Sequence, residues 1–194
     1  MIFTNRFIKD LFWSLLFFIF IYSITHNPIT RPTPKPKTGN WSIQIMQHPL
    51  LFGFAGHNYL ALRDPNGNII SELHGLATDS NTGEWKYIGT KSTDELKVWE
   101  FNSPRYYLSE KKFPGKILSE GNKSDMKTLW SMALSCIPSI NKKNLLYPML
   151  GVSLRGGTEN SNSVAYTLSL CMGIDAFHVG LLTPGDKNNL LEER

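Results

Sequence analysis

Residues 57–75, "HNYLALRDPNGNIISELHG", decide the fold class of this chain. Two strand-like runs, "HNYLALRD" and "NIISELHG", flank the turn "DPNG", and Pro followed by Asn-Gly between such runs predicts a β-hairpin. Two later runs, "EWKYIGT" and "LKVWEFN", are rich in aromatic and β-branched residues and are bounded by turn material, so they predict further strands. The first half of the domain that begins near Trp41 is therefore expected to be mostly β.

The spacing of apolar residues changes to a helical period from Ser124 onward. The run "SDMKTLWSMALSCI" predicts a helix behind a Ser124 N-cap, and Pro138 is expected to end it. A second helix is predicted from Asn162 to Met172, with Gly173 at its C-terminal cap. Its inward residues are expected to be Val164, Leu168 and Cys171. Strands followed by helices predict an α+β domain, a small antiparallel sheet with packed helices.

Residues 1–26 predict a membrane anchor. Leu11 to Ile24, "LFWSLLFFIFIYSI", is apolar apart from two serines, and Arg6 and Lys9 precede it. A cleaved signal peptide is the alternative, but no small-x-small cleavage site follows, so an uncleaved signal-anchor is favoured. The predicted protein is single-pass, with membrane lipid around one N-terminal transmembrane helix. Lys9 adjoins the apolar core and the next downstream charge is distant, which favours an exported C-terminal domain.

Residues 27–40, "NPITRPTPKPKTGN", predict an extended spacer between the anchor and the domain. Four prolines and three cations favour polyproline II and cannot build a core. The spacer leads to a single domain at residues 41–194. The net charge of +4 comes from scattered Lys and Arg, a distribution that argues against nucleic acid as a partner.

The two cysteines, Cys136 and Cys171, do not predict a metal site. Their spacing fits no zinc pattern, and no motif predicts a cofactor. Both lie in apolar helical runs, so the sequence leaves open whether they form a disulfide or remain buried thiols.

Polar residues on the hairpin are candidates for a functional site. Alternation places His57 and Tyr59 on one face of the first strand. If Asn66-Gly67 forms a two-residue loop, Glu72 and His74 of the second strand share that face. A four-residue loop would shift the register by one residue and bring Ser71 and Leu73 there instead. The first register would give a histidine base with neighbours that fix its tautomer.

The predicted second helix opens with an excess of capping residues. One side chain is enough to cap a helix, yet Asn160, Ser161, Asn162 and Ser163 are all candidates. Either the helix is generously capped, or one serine is held at its N-terminus for chemistry.

The order of these features resembles the circularly permuted papain-like superfamily, which includes lecithin retinol acyltransferase and bacterial cell-wall amidases or peptidases. In that family a histidine on a strand comes first, and a nucleophilic cysteine follows at a helix N-terminus. The Gly-His pair in "GHNYLAL" and the tetrad in "NSNSV" match this order. The resemblance implies that His57 is the base, that Ser161 stands in the place of the cysteine, and that Glu72 or His74 orients the base. Ser163 is the reserve nucleophile.

Two functions are implied by this resemblance. The first is a membrane-anchored hydrolase or acyl-transfer enzyme that acts on an amide, peptide or ester bond, with cell-wall peptide or lipid as the candidate substrate. Serine cannot act as a thiolate, so Ser161 needs a hydrogen bond to His57 and an oxyanion hole. The alternative is a catalytically inactive binding module of the same fold, tethered to the membrane.

Overall fold

The computed structural model describes residues 35–50, 55–107, 113–148, 151, 159–175, 179 and 183–192. Within these residues, no helix is both long enough and apolar enough to cross a membrane. The predicted anchor at residues 1–26, and the spacer up to residue 34, lie outside the described residues. The described end of the spacer contacts the domain, because the Lys37 amide donates to Glu120 Oε2 at 2.9 Å.

The described residues form an α+β domain, as predicted. The strands are Trp41–Leu50 (β1), Ala55–Arg63 (β2), Ile69–Thr78 (β3), Trp85–Lys86 (β4), Glu95–Phe101 (β5) and Gly115–Gly121 (β6). The α-helices are Lys123–Lys142 (α1) and Ser161–Cys171 (α2), and a short 3-10 helix covers Pro104–Tyr106. The strands predicted from "EWKYIGT" and "LKVWEFN" correspond to β4 and β5. The sequence analysis did not predict β1 and β6.

The described strands form one antiparallel sheet. Its order is β4-β3-β2-β1-β6, and β5 also pairs with β3. Strand β2 therefore lies between β1 and β3. Both faces of β2 are buried along most of its length, so polar side chains on either face are shielded from water.

The hairpin register is the one predicted from a two-residue loop, although the loop itself is longer. Ala61 pairs with Glu72, as that register requires. Residues 64–68 connect the strands, and the carboxylate of Asp64 accepts hydrogen bonds from amides within this turn. A register shift between Leu62 and Arg63 compensates for the extra residues. With this shift Glu72 lies opposite Ala61, which is on the same face of β2 as His57. Glu72 therefore shares that face with His57.

Helix α1 differs from its prediction at both ends. Asn122 is the N-cap, since its side-chain oxygen accepts from the Asp125 amide at 2.9 Å, so the predicted Ser124 cap is wrong. Pro138 lies inside the helix and does not end it. Ile140, beyond the proline, is fully buried. Packing of this last turn against the core offsets the backbone hydrogen bond that proline removes.

The core lies between one face of the sheet and the two helices. Val164 and Leu168 of α2 are fully buried, as predicted. Gly173 follows the C-cap Met172 with a φ of 74°, the left-handed conformation that often ends a helix. Other members of this core are Ile43, Leu60, Leu73, Val98, Met126 and Trp130.

A disulfide between Cys136 and Cys171 joins the two helices. Their Cα atoms are 6.7 Å apart. The question that the sequence left open is therefore answered in favour of the bond. Cys171, expected to point inward, bonds to α1 at a half-buried position.

Candidate functional site

Helix α2 begins where strands β2 and β3 stop pairing with each other. Their register pairs extend as far as Leu60 with Leu73, although β2 starts at Ala55. Beyond that point the amide of Asn58 donates to Asn162 Oδ1 at 2.8 Å. The side chain of Asn162 thus accepts a hydrogen bond from a β2 amide that lies beyond the last β2–β3 pair.

Gly75 allows the first turn of α2 to approach the sheet closely. A Cβ at this position would lie 2.6 Å from Val164 Cβ and 3.0 Å from Ser161 Cα. Neighbouring residues of a strand point to opposite faces. The helix therefore packs on the face opposite to the side chain of His74.

The N-cap of α2 is Asn160. Its Oδ1 accepts from the amides of Asn162 at 2.9 Å and Ser163 at 3.3 Å, and Ser163 Oγ accepts from the Asn160 amide. This reciprocal arrangement is a capping box. Asn160 Nδ2 also donates to the carbonyl oxygens of Gly151 and Pro184. The capping residues are therefore explained by contacts that position the helix.

Ser161 is bonded to a tyrosine. It is 3% exposed, and both its side chain and its backbone hydrogen-bond to the hydroxyl of Tyr147. Burial raises the pKa of Tyr147, and the hydrogen bonds from Ser161 oppose that rise. A phenol with a raised pKa stays protonated at neutral pH, so it does not supply the base that a serine nucleophile needs.

A small cavity lies beside Ser161. Its volume is about 20 Å³, which is room for about one water molecule. Its lining includes Leu50, Gly56, Ile88, Tyr147, Asn162 and Pro184. A peptide or an acyl chain does not fit this cavity unless the surrounding residues move.

The other face of the sheet carries a hydrogen-bonded chain of His57, His74 and Glu72. His57 Nε2 lies 3.1 Å from His74 Nδ1, and His74 Nε2 lies 3.1 Å from Glu72 Oε2. All of these side chains are fully buried. An ionised Glu72 accepts from His74 Nε2–H, so His74 Nδ1 accepts from His57 Nε2–H. The lone pair of His57 is then on Nδ1, which has no hydrogen-bond partner among the described residues.

Burial dominates the titration of both histidines. It lowers the pKa of His57 well below 6.5, and the nearby rings of His74 and His48 lower it further. Burial also lowers the pKa of His74, although Glu72 opposes this effect. The ring of Tyr59 stacks on His74 with centroids 4.5 Å apart. Both imidazoles are therefore neutral near pH 7.

The structure brings His57, His74 and Glu72 together but does not join Ser161 to them. Among the described residues, His57 is bonded to His74 and Ser161 to Tyr147, so the expected hydrogen bond between Ser161 and His57 is not seen in this structure. The physical reason is that α2 packs on the opposite face of the sheet. The reserve candidate, Ser163, is fully buried and belongs to the capping box.

Sequence reasoning missed one residue of this region, Tyr147. Tyr147 lies in "NLLYP", which matches no motif. Asn160 was one of the four predicted capping candidates, and the structure selects it as the N-cap of an Asn-x-x-Ser capping box. Within the part of the chain that the structure describes, no three His, Cys, Asp or Glu side chains are arranged to hold a metal ion.

Comparisons with known proteins do not identify a family. No protein-family model matches the chain, and no solved structure matches it. A curated protein, periodic tryptophan protein 2 homolog from Dictyostelium discoideum, is 30% identical over 82 residues, or 39% of this chain. The match spans only 9% of the length of that protein. This similarity is too short to carry a fold or a function across.

Proposed function

We propose that the chain is a membrane-tethered binding module without a Ser–His catalytic site. The observation that supports this function is the hydrogen bond of Ser161 to Tyr147, on the sheet face opposite to His57. A general base acts on a nucleophile within about 2.6–3.2 Å. A serine bonded to a neutral phenol and separated from the imidazole by the sheet does not meet that requirement.

The proposed tether is the apolar segment at residues 1–26, and the proposed side of the membrane is the exported one. The Cys136–Cys171 disulfide supports export, because disulfides form and persist in oxidising compartments. The proposed ligand is cell-wall peptide or lipid, the substrate class that the resemblance to papain-like proteins implies.

Chemical labelling tests the absence of Ser–His catalysis. A fluorophosphonate probe is expected to leave the wild type, Ser161→Ala and Ser163→Ala unlabelled, while a known serine hydrolase in the same tube is labelled. Labelling of the wild type that disappears in Ser161→Ala would contradict the proposal. Co-sedimentation of the full chain with purified peptidoglycan, compared with lipid vesicles, tests the ligand class.

Carbonate washing tests the membrane tether. The full-length protein is expected to stay in the membrane pellet, since about 20 apolar residues can span a bilayer. A mature N-terminus near residue 26 would show instead that a signal peptide is removed. Reporter fusions at the C-terminus test orientation, and activity only of a cytoplasmic reporter would exclude an exported domain.

The second candidate function is a Ser-dependent hydrolase or acyl-transfer enzyme. One observation favours it: Nε2 of His57 is held by the His74–Glu72 pair, which leaves Nδ1 as the basic nitrogen. This is the arrangement of an oriented general base. Ser161 would have to leave Tyr147 to reach it.

Tyr147→Phe distinguishes the two candidates, because it releases the hydroxyl of Ser161. The enzyme candidate predicts that fluorophosphonate labelling increases in Tyr147→Phe and is lost again in Tyr147→Phe/His57→Gln. The binding module predicts no labelling of either variant.

A further inference from the structure

Strands β2 and β3 separate around the start of α2, and side chains join them there. We call this region the seam and define it as residues 55–59 of β2 and 74–78 of β3. Each strand is held on its outer side, β2 by β1 and β3 by β5, through backbone pairing. Across the seam, a direct side-chain hydrogen bond joins His57 to His74.

We propose that the His57–His74 hydrogen bond is an acid-sensitive clasp, which closes the seam at neutral pH and releases it, with the N-terminus of α2, in acid. The bond requires one ring nitrogen to donate and the other to accept. When both rings are protonated, two N–H groups face each other and the bond is lost. A proton on His57 Nδ1 alone creates a buried charged N–H that has no acceptor in the described structure.

The charged and titratable groups around the clasp allow this response. Glu72 favours a proton on His74, whereas His74 and His48 oppose a proton on His57. Arg63 interacts with Glu72 and Tyr59. Among the described residues, Tyr87 and Tyr107 also interact with Glu72, and burial raises the pKa of both hydroxyls, so they stay protonated in acid. The ring of Tyr59 stacks on His74. Strand β5 contributes Phe101, which does not titrate.

The sign of the pH dependence follows from burial. Burial lowers the pKa of both histidines in the closed seam below the value of about 6.5 for an exposed imidazole. The open form therefore binds more protons. The stability of the closed seam is complete above about pH 6.5 and declines as the pH falls. Each proton taken up on opening increases the opening constant by up to about tenfold per pH unit.

Amide hydrogen exchange of the full chain in detergent tests the clasp. Exchange rates at about pH 7.5 and about pH 5.5 are divided by the intrinsic rates at each pH. For peptides from the seam and from the first turn of α2, this corrected exchange rate is expected to increase about tenfold or more in acid. A peptide from Gly115–Gly121, on the other side of β1, is expected to change much less. An equal increase in every peptide, or no increase in the seam, would overturn the proposal.

Two variants assign the response to the clasp. His57→Gln keeps a donor toward His74 but does not titrate, so the acid response of the seam is expected to fall about tenfold. His48→Gln removes a neighbouring imidazole but keeps the His57–His74 hydrogen bond, so it is expected to retain most of the response. If His57→Gln does not fold, an NMR pH titration of the imidazole protons in the wild type tests the proposal instead. Titration of His57 and His74 at or above pH 6.5 in the folded protein would overturn the proposal.

Discussion

At the scale of single residues, the polar side chains at the start of α2 contact the loops, the sheet and one another. Asn160 caps the helix and binds two loop carbonyl groups. Ser161 binds Tyr147, and Asn162 binds the amide of Asn58 on β2. These contacts fix the helix to the loops and to the sheet. Substitutions of these residues remove different sets of hydrogen bonds, although Asn160 and Asn162 share the carbonyl oxygen of Pro184.

Asn160→Ala is expected to destabilise the domain more than Ser163→Ala does. Loss of the cap lowers the free energy of unfolding by about 0.5–2 kcal/mol. The carbonyl groups of Gly151 and Pro184 lose a donor as well, which adds to this effect. Ser163→Ala removes the return bond of the capping box but keeps the side chain of Asn160 and its bonds to the loop carbonyl groups. Urea denaturation of the two variants measures the difference, and an equal loss would contradict the assignment of Asn160 as the main anchor.

A double-mutant cycle tests the Ser161–Tyr147 hydrogen bond. Ser161→Ala and Tyr147→Phe are expected to show a coupling free energy of about 0.5–1.5 kcal/mol, since each variant removes the same bond. The matched cycle of Ser161→Ala with His57→Gln is expected to show coupling near zero. Coupling to His57 without coupling to Tyr147 would mean that Ser161 belongs to the histidine chain after all.

At the scale of elements, the packing of α2 on the sheet depends on the missing side chain of Gly75. Val164 occupies the space that a Cβ at Gly75 would need. The same contact keeps the N-terminus of α2 near Asn58, which donates to Asn162. One glycine on β3 therefore determines how closely the helix approaches the point where the strands separate.

Gly75→Ala is expected to lower the free energy of unfolding by about 1–3 kcal/mol, the usual effect of an overpacked core. The second substitution, Val164→Ala, is expected to recover part of this loss because it removes the clashing methyl groups. Gly121→Ala is the matched control, since a Cβ there meets only Met126 Cε at an ordinary 3.5 Å. Denaturant unfolding of the variants measures these effects. A Gly75→Ala loss no larger than that of the control would contradict the close approach.

At the scale of the whole molecule, the disulfide connects the two helices that cover one face of the sheet. Cys136 and Cys171 are separated by 35 residues, and the intervening chain includes the segment with Tyr147. The bond therefore limits how far the segments that form α1 and α2 can separate from each other in the unfolded chain. In the chain-entropy view, that restriction stabilises the folded state.

The double variant Cys136→Ser/Cys171→Ser is expected to lower the free energy of unfolding by about 3–4 kcal/mol, the entropic estimate for a loop of this length. Urea denaturation compares it with the oxidised wild type, and wild type treated with reductant serves as the control. Quantitative alkylation of both thiols in untreated protein would show that the bond is absent and would also weaken the proposed export.

The local sequence determined the hairpin and the approximate extent of α2, because alternation along a strand and helical spacing are properties of neighbouring residues. It left two hairpin registers open, one of which groups His57, Glu72 and His74 on one face, and the structure has that register. The predicted Ser124 cap and the predicted stop at Pro138 were wrong. The Asn122 cap of α1 is a local contact with Asp125, two residues earlier than the predicted cap. The continuation of α1 past proline depends on contacts with distant residues, such as those that bury Ile140.

Only the tertiary structure decided on which face of the sheet α2 packs. A strand that contains His57, followed later by a helix that begins at Ser161, has the same order in the sequence whichever face of the sheet the helix packs on. The choice follows from the space at Gly75, the amide of Asn58 and the hydroxyl of Tyr147, which are distant from the helix in the chain. Because these contacts form only when the domain is assembled, the sequence alone determined which polar groups are present, and packing decided which of them meet.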